Sequence, residues 1–149
     1  MSLRIGSAFL AALRANTDLQ AMLGGTATED DETTYTGARI FYVARVETDE
    51  QQDRIPYLIV MPKGITTQGN KDNYDAEEVA TVDVLCVAAD GENLVELAEM
   101  VKATIEDSLQ GDDTYHIDDF AFSASAVQFD PDKPCFFQTL TYLCSTTIQ

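Results

Sequence analysis

The strongest constraint on the fold is a change of hydrophobic spacing between Glu77 and Leu109. Before Ala89-Asp90-Gly91, apolar residues recur at every second position, which is the period of a strand that buries one face. After it, they recur every three or four positions, as they do on the buried stripe of a helix. The strand positions are Val82, Val84, Cys86 and Ala88, and the helix positions are Leu94, Leu97, Ala98, Val101 and Ile105. The sequence therefore predicts a long strand that leads directly into an amphipathic helix.

Two further helices are predicted before this unit. The first runs from Ser2 to Ala15, because its apolar residues recur at helical spacing. The second begins at Thr17, whose hydroxyl opens a Thr-Asp-Leu-Gln capping box, and ends at Gly24-Gly25, since glycine adopts the left-handed conformation without steric strain. In the central helix, Asp90 is the predicted N-cap and Gly111 the predicted stop.

Strands are predicted where aromatic and β-branched residues cluster or alternate. These segments are Arg39 to Val46, Tyr57 to Met61, and the two strands of a C-terminal hairpin, Phe120 to Phe129 and Cys135 to Thr146. Pro56 and Pro62 are expected to limit the second strand, because proline cannot donate a hydrogen bond to a ladder. Thr26 to Gly37 and Lys63 to Asp75 lack apolar periodicity and are predicted to be loops.

Together these elements predict a single domain over residues 1–149. The expected fold is α+β, with a mainly antiparallel sheet of four to five strands and the N-terminal and central helices packed on one face. A chain of 149 residues and 16.4 kDa buries enough surface to fold as one domain.

The charge balance argues against nucleic-acid binding. The chain has 26 acidic and 9 basic residues, a net charge of -17, and its basic residues are scattered. Neutralising a phosphate backbone requires clustered Lys and Arg. Most of the acidity is expected to provide solubility, although like charge also suits a protein past which DNA slides without adhering.

The cysteines and the N-terminus indicate a reduced compartment. Cys86, Cys135 and Cys144 are odd in number and have no Cys-x-x-Cys spacing, so buried thiols are expected in place of a disulfide framework or zinc site. The apolar run Ala8 to Leu13 is too short for a signal peptide, and no segment is long enough to span a bilayer. We therefore expect a cytoplasmic protein with no membrane association.

No residue set predicts catalysis, a cofactor or a metal site. His116 is the only histidine and lies in a polar connector, where a surface position is expected. Paired carboxylates occur without the spacing of a calcium loop, so solvated charge is favoured and weak calcium or magnesium binding stays open. These pairs are Asp30-Asp31, Asp112-Asp113, Asp118-Asp119, and Asp130 with Asp132. Gly24-Gly25 ends a helix where a phosphate cradle would begin one.

Two acidic features each allow two interpretations. Asp83 is predicted to face away from Val82 and Val84, either exposed to solvent or paired with a neighbouring strand or subunit. Four glutamates of the central helix share a face that is usually wet surface, but in a ring this face could line an acidic bore. They are Glu92, Glu96, Glu99 and Glu106.

The order of these elements resembles phage and prophage tail-terminator, or tail-completion, proteins. The matching stretches are AFLAALRANTDLQAMLGG (Ala8 to Gly25), RIFYV (Arg39 to Val43), IPYLIVMP (Ile55 to Pro62), TVDVLCVAADGENLVELAEMVKATIEDSL (Thr81 to Leu109) and QTLTYLCS (Gln138 to Ser145). They cover most of the chain, and their order and spacing carry the resemblance because none is a catalytic motif. The departures are the segments Thr26 to Gly37 and Lys63 to Asp75.

The resemblance implies a non-enzymatic structural protein without a cofactor. It is expected to self-associate into a ring, with six copies the expected number, that caps the head-proximal end of the tail tube and ends tube polymerisation. Its implied partners are the tail tube protein and a head-side connector or stopper, while genome DNA passes the lumen without specific binding. Its implied location is the virion tail, after assembly in the bacterial host cytoplasm.

Two alternatives remain open from the sequence. One is a head-tail joining or minor tail protein of the same fold. The other is a small-molecule enzyme or binding domain, which requires a concave pocket with converging polar groups.

Overall fold

The computed structural model describes residues 5–28, 31–36, 39–43, 55–69, 76–109, 117, 119–132 and 134–148. The helices in this part of the chain are α1 (Ile5–Ala15), α2 (Thr17–Met22) and α3 (Gly91–Leu109). The strands are β1 (Thr26–Thr28), β2 (Asp31–Thr36), β3 (Ile40–Tyr42), β4 (Tyr57–Gly69), β5 (Ala76–Ala88), β6 (Asp119–Ala124), β7 (Gln128–Asp130) and β8 (Cys135–Ile148).

Six of these strands form one sheet. Its order is β3-β4-β5-β8-β6, and β7 pairs with β8 beyond the end of β6. All pairs are antiparallel except β3 with β4, which are parallel. Strands β1 and β2 form a separate antiparallel hairpin. The predicted α+β fold is confirmed, with more strands than expected because the predicted strand Phe120 to Phe129 is divided into β6 and β7, and because a segment predicted as a loop contains β1 and β2.

The predicted change of spacing is also confirmed. Strand β5 ends at Ala88, and α3 begins at Gly91 after Asp90, whose carboxylate accepts a 2.8 Å hydrogen bond from the Asn93 N–H. Both predicted apolar sets are buried in one core with residues of α1, β4 and β8. Helices and strands therefore share one hydrophobic core on one face of the sheet, as the alternation of side chains along β5 requires.

The second helix is capped one residue earlier than predicted. Its N-cap is Asn16, and the Asn16 side-chain oxygen accepts a 3.1 Å hydrogen bond from the Leu19 N–H. The prediction of Thr17 as cap was wrong because α1 ends at Ala15, leaving Asn16 as the single residue between two helices. The Asn16 amide also donates to the Thr104 hydroxyl at 2.8 Å, which joins α2 to α3.

Replacing Asn16 by alanine is expected to lower the free energy of unfolding by about 1–2 kcal/mol, because both the cap and the inter-helix bond are lost. Thr17→Ala is the matched control and is expected to change it by less than about 0.5 kcal/mol. Urea unfolding followed by circular dichroism measures both. Equal losses in the two variants would contradict Asn16 as the cap.

The end of α2 follows the prediction. Gly24 has φ +83°, and a Cβ at this position would lie 2.6 Å from a terminal guanidinium nitrogen of Arg39. Gly24→Ala should therefore lower the free energy of unfolding by about 1–2 kcal/mol through backbone strain and displacement of Arg39. Gly91→Ala, where a Cβ meets nothing within 4 Å, should change it by less than about 0.5 kcal/mol. Thermal unfolding of the two variants tests this contrast.

Strand β4 is much longer than predicted. It passes through Pro62 and continues to Gly69, so the predicted loop is wrong over 63–69, while residues 70–75 and the stop at Gly111 lie outside the described part. The register shifts between Pro62 and Gly64, which makes Lys63 the extra residue of a β-bulge. The Val43 N–H donates to the Val60 carbonyl on the outer side of β4. The hydrogen-bonding groups of every second residue point to the same side of a strand, so those of Pro62 face outward like those of Val60. The N–H that Pro62 lacks is therefore not one that would pair with β5.

Three other boundaries differ from the predictions. The segment Thr26 to Gly37 contains β1 and β2, because its threonines and a tyrosine suit a strand pair despite the acidic run. Strand β3 ends at Tyr42, and residues 44–46 of the predicted strand are not described. The predicted strand Phe120 to Phe129 is divided into β6 and β7 by Ser125–Val127.

Candidate assembly surfaces

The predicted acid-base and metal candidates form no described site. His116, Asp112-Asp113 and Asp118 lie outside the described residues. The Asp130 carboxylate accepts a 3.0 Å hydrogen bond from the Asp132 N–H, so it closes a local turn. Within the described ranges, no group of three or more His, Cys, Asp or Glu side chains is placed to hold a metal. None of the described helices is long and apolar enough to cross a membrane.

Cys86, Cys135 and Cys144 are all buried in the structure. Burial raises the pKa of both Cys86 and Cys144 to about 12. A thiol is nucleophilic only as the thiolate, so these two behave as small apolar core residues at neutral pH.

Asp83 is paired with its neighbouring strands. The Thr141 hydroxyl donates a 2.9 Å hydrogen bond to one Asp83 oxygen, and the Lys63 ammonium lies 3.8 Å from the other. These side chains occupy the face of the sheet opposite the buried Val82 and Val84. The core that the sheet shares with α1 and α3 lies on the other face.

Among the described strands, the outer side of β4 is paired over only a short stretch. Strand β3 pairs only with Leu58 to Val60, and no other described strand pairs with the outer side of β4 from Met61 to Gly69. We define the β3 flank as Tyr42, Val43 and this stretch of β4. An unpaired edge can pair with a strand of another chain, so natural proteins normally protect such edges.

Val43 stands out on the β3 flank. It is 59% exposed and has φ 54°, a conformation that β-branched residues rarely adopt. Its N–H donates to the Val60 carbonyl at 2.9 Å, which holds the residue at the end of β3. A strained apolar residue facing solvent is a marker of a functional surface.

The opposite edge is built from β6 and β7, separated by a break at Ser125–Val127. We define β6, this break and β7 as the β6 flank. The Ser125 hydroxyl accepts the Thr139 N–H at 3.0 Å, and the Ser125 carbonyl accepts the Gln138 side-chain amide at 2.8 Å. The break is therefore a hydrogen-bonded feature of the edge, comparable to the bulges that interrupt edge strands.

A groove of about 240 Å³ lies between this break and α3. Its lining is mainly apolar, with one lysine whose ammonium lies 5.2 Å from the Phe122 ring centroid and 2.8 Å from a Glu106 oxygen. The apolar lining residues are Val95, Ala98, Phe122, Ala124, Val127 and Leu140. Val95 is 48% and Val127 44% exposed, so apolar surface is available at the rim.

Charge is distributed unequally between the two flanks. Among the described residues, three of the four basic side chains lie near β3 and β4, because Arg14 donates to the Ile40 carbonyl, Arg39 directly precedes β3, and Lys63 is in β4. On α3, three glutamates of the predicted acidic face are exposed, Glu92, Glu96 and Glu99, and Glu99 lines the groove beside the β6 flank. Glu106 is half-buried and paired with Lys102.

Neither flank is among the features that the sequence predicts. Periodicity reports which face of a strand is buried but does not report which strands lie at an edge. Two local signals were present: Pro62 within a β-branched run indicates an edge strand, and the run Ser-Ala-Ser-Ala at 123–126 lacks the large side chains that continue a strand.

No protein-family model matches the sequence, and no curated protein sequence matches it. In three dimensions the chain is similar to a chain of a solved structure described as "Virion of native gene transfer agent (GTA) particle". The TM-score is 0.65 at 14% sequence identity, and the alignment covers 97% of this chain and 95% of that chain. At this identity the similarity concerns the fold, which the two chains share over nearly their whole lengths.

Proposed function

We propose that this protein is a structural component of a phage-like particle and acts there as a tail terminator. The single observation that carries the proposal is the fold shared, over nearly the whole of both chains, with a chain of a gene transfer agent virion. The order of the sequence motifs independently resembles tail terminators. In this role residues 1–149 act as one domain.

The two flanks support self-assembly in a ring. They differ from each other, so the contact they suit is heterologous, with one flank of each copy meeting the other flank of the next. Heterologous contacts close into a ring when the repeated rotation returns to its start. Six copies are the expected number, and use of the acidic face of α3 as the wall of a bore for DNA remains a prediction.

The proposed ring sits on the head-proximal end of the tail tube. Its partners are the tube protein below and a connector or stopper above, and its place is the virion tail after assembly in the host cytoplasm. A net charge of -17 opposes adhesion of the passing genome, because phosphates and carboxylates repel each other.

The test uses tail tube protein encoded with this chain. Tubes are grown alone, with this protein, or with an unrelated protein of similar size and charge, and are measured by negative-stain electron microscopy. We expect gold-labelled protein at one end of each tube and shorter tubes as its concentration rises. Absence of end binding would refute the proposal, and end binding without shorter tubes would favour the head-tail joining alternative.

A further inference from the structure

We propose that the β6 flank binds an extended segment of another protein, which adds a strand to the sheet beside β6 and places an apolar side chain in the groove next to α3. The segment that suits this site has apolar residues at alternate positions and basic residues beside them. The inference rests on the proposed function only in placing the partner in the same particle. In the proposed ring, the added strand becomes part of the flank that the next copy meets.

The main-chain groups of β6 are arranged to accept a strand. Among the described strands, β6 is the last in the order of the sheet. The Ser125 N–H donates to the Thr139 carbonyl at 2.9 Å, so the groups of Ser125 point toward β8. Because the direction alternates along a strand, the N–H and carbonyl groups of Phe122 and Ala124 point away from β8. Each of these two residues therefore offers a donor and an acceptor to an added strand.

Strand β6 also lacks features that protect edge strands. From Phe120 to Val127 the sequence FAFSASAV has no charged residue and no proline, and β6 pairs with β8 in one register without a bulge. Ala121, Ser123 and Ala124 are exposed. Natural proteins normally place charges, proline or bulges on edges that must not pair. In a chain with 26 acidic residues, this uncharged edge indicates a strand that accepts a partner.

The groove selects an apolar side chain in the added strand. Ala124 pairs with Leu140, which lies in the core, so the Ala124 side chain is on the helix side of the sheet. A residue directly opposite Ala124 has its side chain on the same side. It therefore points to the groove of about 240 Å³, where Val95 and Val127 are exposed. Covering these valines removes apolar surface from water, which favours binding.

Charge favours a basic segment. The Lys102 ammonium lies 2.8 Å from a Glu106 oxygen, whereas Glu99 lines the groove and is exposed. Glu92 is also exposed and shares a helix face with Val95 and Glu99. Lysine or arginine beside the apolar residue would meet these carboxylates. This chain has 9 basic residues against 26 acidic ones, so a basic segment is more readily supplied by another protein.

The test uses a synthetic peptide probe, acetyl-Lys-Thr-Val-Thr-Val-Thr-Lys-amide. Its valines and lysines share one side of an extended strand, as the groove requires. We expect saturable binding in calorimetry with a Kd below about 1 mM. The control peptide has glutamate in place of both lysines and should bind at least about tenfold more weakly. Equal binding of the two peptides would refute a basic partner.

Amide hydrogen exchange locates the added strand. In the free protein, the N–H groups of Phe122 and Ala124 should exchange faster than those of Ser123 and Ser125, which point toward β8. Probe at ten times its Kd should slow exchange at Phe122 and Ala124 by about tenfold and leave the other two unchanged. Slowing at Phe122 and Ala124 that follows protein concentration without probe would show a second copy on this edge and overturn the assignment of the partner.

The groove is tested by filling it. Ala124→Trp places a large side chain in the groove that Ala124 lines, and it should weaken probe binding at least about tenfold. The matched control is Ala121→Trp, because Ala121 is exposed in the same strand but pairs with Leu143 on the opposite face. We expect its Kd to stay within about threefold of the parent value. Equal losses in the two variants would mean that the groove does not take part.

The edge is tested by removing one donor. Ala124→Pro eliminates an N–H that points away from β8, so pairing with β8 is kept. We expect probe binding to weaken at least about fivefold with little change in the melting temperature. If this variant does not fold, the exchange pattern and the Ala124→Trp contrast decide the question. No saturable binding of the probe to the parent protein would refute the site.

These outcomes are separable from the tube assay. Capping of tubes by a protein that does not bind the probe would refute the site and leave the terminator role intact. Probe binding at β6 without binding to tube ends would support the site and refute that role.

Discussion

Replacing Phe9 by alanine is expected to destabilise the protein by about 3–5 kcal/mol, the usual loss for a buried aromatic side chain. Phe9 is fully buried, with its ring centroid 5.3 Å from Tyr142 and 6.3 Å from Phe120 in edge-to-face arrangements. It links α1 to β6 and β8, so the vacated volume lies where helix meets sheet. The melting temperature should fall by roughly 8–15 °C, as the size of the chain implies.

Phe129→Ala is the matched control. Phe129 is 53% exposed, and its described ring contact is Phe136 at 4.9 Å. We expect a loss below about 1 kcal/mol, because little apolar area is uncovered. Guanidinium unfolding of both variants, followed by circular dichroism, measures the difference. Equal losses would mean that the helix-to-sheet core does not depend on Phe9.

Phe9 was identifiable from the sequence because burial leaves a periodic signal. A helix that packs on a sheet must present apolar residues every three or four positions, and α1 and α3 do so. The same argument located β5 and the core stripe of β8. These elements were predicted correctly since each buries one face, and a register slip by one residue would expose the entire set.

Positions near an edge were predicted less well. Pro62 is predicted to end a strand, yet β4 continues for seven residues beyond it, to Gly69. The reason is that proline terminates a strand only when its N–H would face a partner, and sequence does not reveal which side is paired. The cap at Asn16 was displaced by one residue for a related reason, because two adjacent cap-forming residues have the same local chemistry.

The candidate assembly surfaces were the least predictable part. The two flanks are formed by strands that are distant in sequence, and Met61 and Ser123 share a row only because Asp83 of β5 and Thr141 of β8 lie between them. The exposed Val43 has no sequence signature, since its positive φ depends on where β3 ends. By contrast, the statement that no residue set predicts catalysis depends only on residue types and their spacing, so it required no knowledge of the fold.

Raising the pH above 9 is expected to reduce stability strongly. Burial raises the pKa of Cys86 and Cys144 to about 12 from an unfolded value of 9.0, and raises the pKa of Tyr57 to about 12 from 10.0. Burial also raises the pKa of Tyr142, whose hydroxyl has no hydrogen-bond partner among the described residues. Below pH 9 both states hold these protons. Above it the unfolded chain releases them first, so the folded state binds more protons and the free energy of unfolding falls.

The contribution of a single thiol to the fall of the free energy of unfolding with pH can be measured. Each group that is ionised only in the unfolded state lowers the free energy of unfolding by about 1.4 kcal/mol per pH unit, so the two cysteines together contribute up to about 3 kcal/mol per unit between pH 10 and 12. Lysine deprotonation and carboxylate repulsion also act in this range, but they are the same in Cys86→Ala. Guanidinium unfolding at pH 7, 9, 10 and 11 should give a shallower decline for that variant, even though it starts from lower stability at pH 7. A parallel decline in the two proteins would show that the Cys86 thiol titrates normally in the folded state, which is incompatible with its burial between β5 and the helices.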